Sequence, residues 1–329
     1  MNQQVGNLID FYNVQFYNQG DTQYNTYTEL FVKATGTFSG TSVSEIINRG
    51  IPSNKIVVGK PATQGDASNT GLVSASDLGN WCTQAFTQFG WYAGVFFWQF
   101  RSDMNGALIK SASSNLLSKV QSGLPTINTT TPVTNTTTTP VKNTTTPANT
   151  TNTTTTPTLN TTKPTTNTTT TPTTNTNTNT TPTNTTTTPV TPLPANSKIS
   201  YPIRLAYVNG MNSWWPATAI AAGLGVPGYA QNHSYNYIVL AFWLTSGAAD
   251  SALVWANPTM YMGTDSVFGK TTSDIQQSLK KLYNNAGVKI MVSAFGATEN
   301  PTNQDPSTVA TKLATFVNAN NLDGVDIDY

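Results

Sequence analysis

Three aspartates in an otherwise apolar stretch are the residues of this chain best suited to chemistry: Asp323, Asp326 and Asp328, in Leu322-Asp323-Gly324-Val325-Asp326-Ile327-Asp328-Tyr329. In a strand, successive side chains alternate faces, so Asp326 and Asp328 point the same way. Two carboxylates that close cannot both ionise cheaply, and one is expected to hold a proton near neutral pH. Val325 and Ile327 alternate with the acids and are expected on a buried face. A calcium loop would instead need oxygen ligands on a flexible turn closed by a Glu. The apolar alternation favours the strand.

The elements that must position these acids lie on both sides of a low-complexity tract. In residues 1–124, Leu8–Tyr17, Lys55–Gly59 and Ala93–Phe100 read as strands. Helices are expected near Ser42–Asn48, Ala75–Phe89 and Ala112–Val120. In residues 198–329 the strands are Ile203–Val208, Tyr237–Trp243, Val288–Phe295 and the acidic segment. Helices are expected near Ala217–Leu224, Thr272–Ala286 and Pro306–Asn320, the last with Asp305 as N-cap and Pro306 in its first turn. Strand–helix alternation of this kind builds parallel sheets, and a (β/α)8 barrel places its chemistry at the carboxyl ends of the strands.

Residues 125–197 are nearly all Thr, Asn and Pro, with Lys142 and Lys163 the charges among them. So few apolar side chains cannot offset the entropy of ordering, and a disordered linker is expected. Asn-x-Thr acceptors recur, among them Asn128, Asn143, Asn160 and Asn184. They suit a glycosylated, extracellular stalk. An unmodified polar spacer is the alternative.

Composition narrows the partners. Of the 329 residues 9% are charged and the net charge is +1, so no electrostatic case for nucleic acid exists. No stretch approaches the roughly 18 apolar residues of a membrane span, and residues 1–6 lack the basic and apolar regions of a signal peptide. The single cysteine, Cys82, excludes an internal disulfide framework and reads as a small buried hydrophobe on a helix. No motif for a cofactor or a metal is present, and nothing in the sequence speaks to oligomeric state.

The spacing Asp323-x-x-Asp326-x-Asp328-x resembles the signature of family 18 glycoside hydrolases, the chitinases and their relatives. In that family a Glu follows two residues after the last Asp, which would be position 330, one past Tyr329. The resemblance extends along the chain. Ile203–Asn209 with Trp214-Trp215 resembles the first barrel strand and its loop, and Tyr237–Trp243 the second. Ser293-Ala294-Phe295-Gly296-Ala297 resembles the third, with Ala297 in place of a Gly, and the acidic segment the fourth. Val14-Gln15-Phe16-Tyr17-Asn18 resembles the sixth strand, Ile56–Gly59 the seventh and Gly94–Trp98 the eighth. The fold expected is thus (β/α)8 TIM-barrel segments, strands six to eight followed by strands one to four. The division expected is 1–124 and 198–329 as parts of two tandem chitinase-like barrels within a longer secreted protein, joined by the 125–197 linker. In isolation the two flanks are expected to dock into a seven-stranded body, Gly94–Trp98 pairing with Ile203–Val208.

The resemblance implies hydrolysis of β-1,4-linked N-acetylglucosamine polymers, with chitin or chito-oligosaccharides as partners. The substrate's own acetamide serves as nucleophile. It implies that Asp328 holds that acetamide, that Asp326 shares a proton with Asp328, and that Tyr17 donates to the acetamide oxygen. Gln15, Asp323 and Ser293 would line or support the site. Trp98 would floor the pocket or simply fill the barrel; Trp214 and Trp215 would stack sugars or pack a loop. The missing Glu would be the general acid, worth roughly 10²–10⁴ in rate, so the sequence as it stands is expected to be inactive. A non-catalytic carbohydrate-binding protein, or an endo-β-N-acetylglucosaminidase acting on N-glycans, would carry the same motif.

Overall fold

The computed structural model describes residues 2–20, 23–123, 199–209, 235–258 and 271–329. The described residues of both flanks belong to one compact unit and share one sheet. Its strands are β1 (Tyr12–Gln15), β2 (Ile56–Pro61), β3 (Gly94–Trp98), β4 (Ile203–Val208), β5 (Tyr237–Leu244), β6 (Gly247–Ala248), β7 (Lys289–Phe295) and β8 (Gly324–Asp328). The order is β1-β2-β3-β4-β5-β7-β8, every neighbouring pair parallel, with β6 a short antiparallel addition to β5. With helices on its flank this is a barrel-type α/β sheet, a half-barrel among the described residues.

The junction between the two flanks is the β3–β4 pair. Phe97 lies opposite Ala206 and Trp98 opposite Tyr207. The backbones approach closely where β3 begins: a Cβ on Gly94, at φ +120°, would sit 2.0 Å from the Ile203 carbonyl oxygen. Only glycine permits that approach. The expected docking of Gly94–Trp98 beside Ile203–Val208 is therefore what the fold contains.

The inner strands are rich in β-branched and aromatic residues. All of β2, and nearly all of β3, β4 and β5, is buried, as strands covered on both faces must be. The edge strands β1 and β8 are more open. On β8 the expected burial is reversed. Val325 and Ile327 are 41% and 53% exposed, while Asp326 faces the enclosed side. The outward residues of β8, together with Val309, Leu313 and Val317 and with Phe295, border an open apolar cavity of about 640 Å³. An edge strand has a neighbour on one side only, so its apolar face lacks the cover that alternation alone would suggest.

The helices are α1 (Asn2–Val5), α2 (Val43–Asn48), α3 (Ala75–Phe89), α4 (Ala107–Gln121), α5 (Asp250–Ala256), α6 (Thr272–Asn285) and α7 (Pro306–Ala319). Ser42 and Glu45 form a capping box on α2, Ser74 caps α3, and Asp305 caps α7 by accepting from the Thr308 amide. The apolar side of α3, including Leu78, Cys82, Ala85 and Phe86, is buried. Two boundaries depart from expectation. The first strand begins at Tyr12 rather than Leu8, which is 78% exposed. Helix α4 begins at Ala107, because buried Asp103 accepts from the Leu108 and Ile109 amides and so caps an earlier turn. The expected helix Ala217–Leu224 and the 125–197 tract lie outside the described residues. Among the described residues no helix is long and apolar enough to cross a membrane.

Candidate active site

Alternation along β8 directs Asp326 and Asp328 to one face, and three other strands bring partners to Asp326. From β7, Ser293 Oγ donates to Asp326 Oδ2 at 2.7 Å. From β4, the Tyr207 hydroxyl donates to the same oxygen at 3.0 Å. From β1, Asn13 Nδ2 reaches Asp326 Oδ1 at 3.2 Å and the Tyr207 hydroxyl oxygen at 2.9 Å. Register explains the first contact, since Ser293 lies directly opposite Asp326.

The electrostatics follow from enclosure. Burial raises the Asp326 carboxyl above the ordinary aspartate range, and the hydrogen bonds from Ser293, Tyr207 and Asn13 offset only part of that. Asp328 is also raised, by desolvation and then by the charge on Asp326. Burial, followed by the nearby Asp326 charge, pushes the Tyr207 hydroxyl well above its usual value, so it stays a proton donor. Asn13 Oδ1 is buried without a hydrogen-bond partner. Rotating that amide would present an acceptor to a protonated Asp326, since the two ends of an amide occupy nearly the same space.

Tyr17, just past β1, is buried, and its hydroxyl is raised by burial, then by the charges of Asp328 and Asp66. It follows the carboxyl end of β1, and in this parallel sheet that is the strand end at which β8 carries Asp328. Its backbone is packed against Gly71. The following Asn18 accepts from the Ser68 and Asn69 amides, which ties this turn to the loop after β2. Trp98 ends β3 half-buried, its ring 5.9 Å from that of Tyr207 and stacked on Phe242 at 6.3 Å. Gln15 is exposed, and its Nε2 donates to the Tyr17 carbonyl at 3.2 Å.

Asp323 stands apart from this group. It sits before β8, at the opposite strand end, with Oδ1 3.1 Å from Lys280 Nζ and 3.6 Å from Lys289 Nζ. Its other oxygen accepts from the Ile290 amide at 2.8 Å. The structure commits this carboxylate to ion pairing, not to the group around Asp326. Trp214 and Trp215 lie outside the described residues. Among the described residues no three His, Cys, Asp or Glu side chains form a group able to hold a metal ion.

Asn13 and Tyr207 belong to the site although neither stands out as reactive in the sequence. Asn13 shares the alternation of Gln15 and Tyr17, so the pattern i, i+2, i+4 on one strand was a usable signal. Tyr207 is an aromatic in an apolar strand, and nothing local distinguishes its hydroxyl from a core residue's.

Together these groups can store a proton on a carboxyl pair, offer hydroxyl and amide donors, and present an aromatic surface beside them. No family model matches the chain, and no curated protein matches it. Among solved structures it is similar to a GH18 chitinase from Pseudoalteromonas aurantia, at 24% identity over 38% of this chain, with a TM-score of 0.23. The match spans 40% of that chitinase.

Proposed function

We propose that the side chains gathered at the carboxyl ends of these strands form the acetamide-binding part of a chitinase-type glycoside hydrolase site. Its substrates would be β-1,4-linked N-acetylglucosamine chains. The observation that carries this reading is the half-buried Asp326 carboxyl, hydrogen-bonded to Ser293, Tyr207 and Asn13 with Asp328 two residues on. A neutral sugar polymer also suits a chain with few charges and an aromatic surface at the site.

In this reading Asp328 orients the N-acetyl group and balances the positive charge that grows as the acetamide oxygen attacks the anomeric carbon. Asp326 shares its proton and so sets the charge on Asp328. Tyr17 donates to the acetamide oxygen, and Trp98 forms the apolar floor beneath the ring and its acetyl methyl. Ser293, Tyr207 and Asn13 hold Asp326 in place. The acetamide contact distinguishes N-acetylated from plain sugars, so the reading is tested on binding.

Titration of the full chain with chitotetraose, followed by tryptophan fluorescence and calorimetry, is expected to show saturable binding. Cellotetraose, which lacks the acetamide, is expected to bind far more weakly. Trp98→Ala should weaken chitotetraose binding about tenfold, the scale of one lost aromatic contact. Equal affinity for the two sugars, or no binding to either, overturns the proposal.

A further inference from the structure

Strand β2 carries a lysine that the proposed chemistry does not use. Lys60 is fully buried. Its Nζ donates to the Phe16 carbonyl at 2.9 Å and to the Tyr24 carbonyl at 2.8 Å. Phe16 immediately precedes Tyr17, its amide is bonded to the Gly59 carbonyl at 3.2 Å, and its ring packs edge-on against that of Tyr24 at 4.9 Å. One amine nitrogen thus joins two points of the backbone that brackets Tyr17, as an ammonium below about pH 7 and above it as a neutral amine that still has two N–H bonds to donate.

We propose that Lys60 is a positioning residue for Tyr17, tying the Phe16 carbonyl to the Tyr24 carbonyl and making that hold depend on protons. Burying a lysine is costly unless its charge is compensated. Here two neutral carbonyls receive it, and Glu29, on the helical turn Thr28–Val32, supplies the opposing charge. Burial lowers the Lys60 pKa to about 7, with Glu29 acting to raise it. Tyr24 remains protonated, raised by burial, with its hydroxyl on Thr41.

The direction of the pH effect is fixed by linkage. When the hold breaks and Lys60 meets water, its pKa returns to roughly 10.4. The released form binds the proton more tightly than the held form. The hold is therefore weakest below about pH 7 and tightens as pH rises from there toward the released value, by up to about tenfold per pH unit for one proton. Acid loosens the Tyr17 backbone. The consequence for sugar binding rests on the reading of Tyr17 given above, but the physical test needs no sugar, so the two can fail separately.

Amide hydrogen exchange on the full chain, corrected for the intrinsic pH dependence of exchange, reads the effect at the Phe16 and Asn18 amides, with Val239 and Leu240 of β5 as reference. In the wild type, protection at Phe16 and Asn18 should rise between pH 7 and 9 relative to the reference, approaching tenfold per unit. Lys60→Met should abolish that slope. Glu29→Gln, which leaves Lys60 in place, should extend the slope to lower pH by removing the charge that favours the ammonium. A slope retained in Lys60→Met, absent from the wild type, or unmoved in Glu29→Gln overturns the proposal. If Lys60→Met fails to fold, the Glu29→Gln shift alone decides.

Discussion

Asn13 and Asp326, 313 positions apart, meet with Nδ2 3.2 Å from Oδ1, so the first and last strands of the sheet touch through side chains inside the fold. The two strands do not pair; their contact is made by an amide and a carboxyl in the site itself. Sheet curvature and site assembly are therefore the same event. A flat arrangement of these strands would leave Asp326 with partners on β7 and β4 and none on β1.

That contact predicts the effect of Asn13→Ala. The Asn13 bond favours the ionised form of Asp326, so its loss should raise the Asp326 pKa further. It should also cost about 1–3 kcal/mol, the range for losing a hydrogen bond to a charged group and leaving a buried partner short. Carboxyl carbon NMR titration and urea denaturation check the two effects. An unchanged or lowered Asp326 pKa would show that the amide does not donate to the carboxylate.

The carboxyl pair predicts a particular dependence of stability on pH. Asp326 and Asp328 both have pKa values raised in the folded state. The folded form thus binds more protons than the unfolded form in the interval between the two values. Their joint contribution to stability is greatest below the unfolded carboxyl range and is lost as pH rises through the raised folded values. Glu45 and Asp305, which are lowered, act in the opposite sense, so the pair is isolated by comparing variants. The slope of urea midpoint against pH, wild type minus Asp328→Asn, should be negative from the unfolded carboxyl range up to the raised folded values. In Asp326→Asn, Asp328 should titrate lower than in the wild type, because the charge that raises it is gone. An Asp328 titration unmoved by that change would mean that the two carboxyls do not interact.

Much of the frame was legible because its signals are local. Helix α3 is bounded by Ser74 and by Gly90 at φ 63°, both readable as caps, and its expected span of Ala75–Phe89 matches. Strand β4 likewise runs over Ile203–Val208 as expected. The pairing of Asp326 with Asp328 follows from strand alternation alone. What was not legible depends on remote partners. The exposure of Val325 and Ile327 follows from β8 standing at the end of the strand order, which alternation does not encode. The roles of Asn13 and Tyr207 come from contacts across the sheet, and the diversion of Asp323 depends on Lys280 on a separate helix. Nothing in the spacing around Asp103 marks its role either, and it is spent on capping α4 and on the Tyr235 hydroxyl.

Gly71 is expected to be a sensitive position for Tyr17. It has φ +108°, and a Cβ built there would lie 2.4 Å from Tyr17 Cβ and 2.5 Å from Tyr17 Cα. Both the backbone strain and the overlap oppose any side chain, and the atoms in the way are not the far end of a flexible group. Gly71→Ala should destabilise the chain by roughly 1–3 kcal/mol and weaken chitotetraose binding through displacement of Tyr17. Gly50→Ala is the control, since it too has a positive φ, +95°, but open space around the built Cβ. Equal sugar affinity in the two variants would remove Tyr17 from the binding surface.

Asp323 gives the sharpest separation of support from chemistry. Its carboxylate is held by Lys280, with Lys289 farther off, and it accepts from the Ile290 amide, all at the end of β8 away from Asp328. Lys280 is itself buried and donates to the Asn321 carbonyl, so removing its counter-charge leaves an ammonium with little access to water. Breaking an ion pair of this kind costs roughly 3 kcal/mol. Asp323→Ala should therefore lower stability by about that amount in urea denaturation. At a temperature where the variant stays folded, its affinity for chitotetraose should equal that of the wild type. Lys280→Met combined with Asp323→Leu removes both charges and should recover most of the lost stability. A variant that keeps its stability and loses the sugar would instead return Asp323 to the binding site.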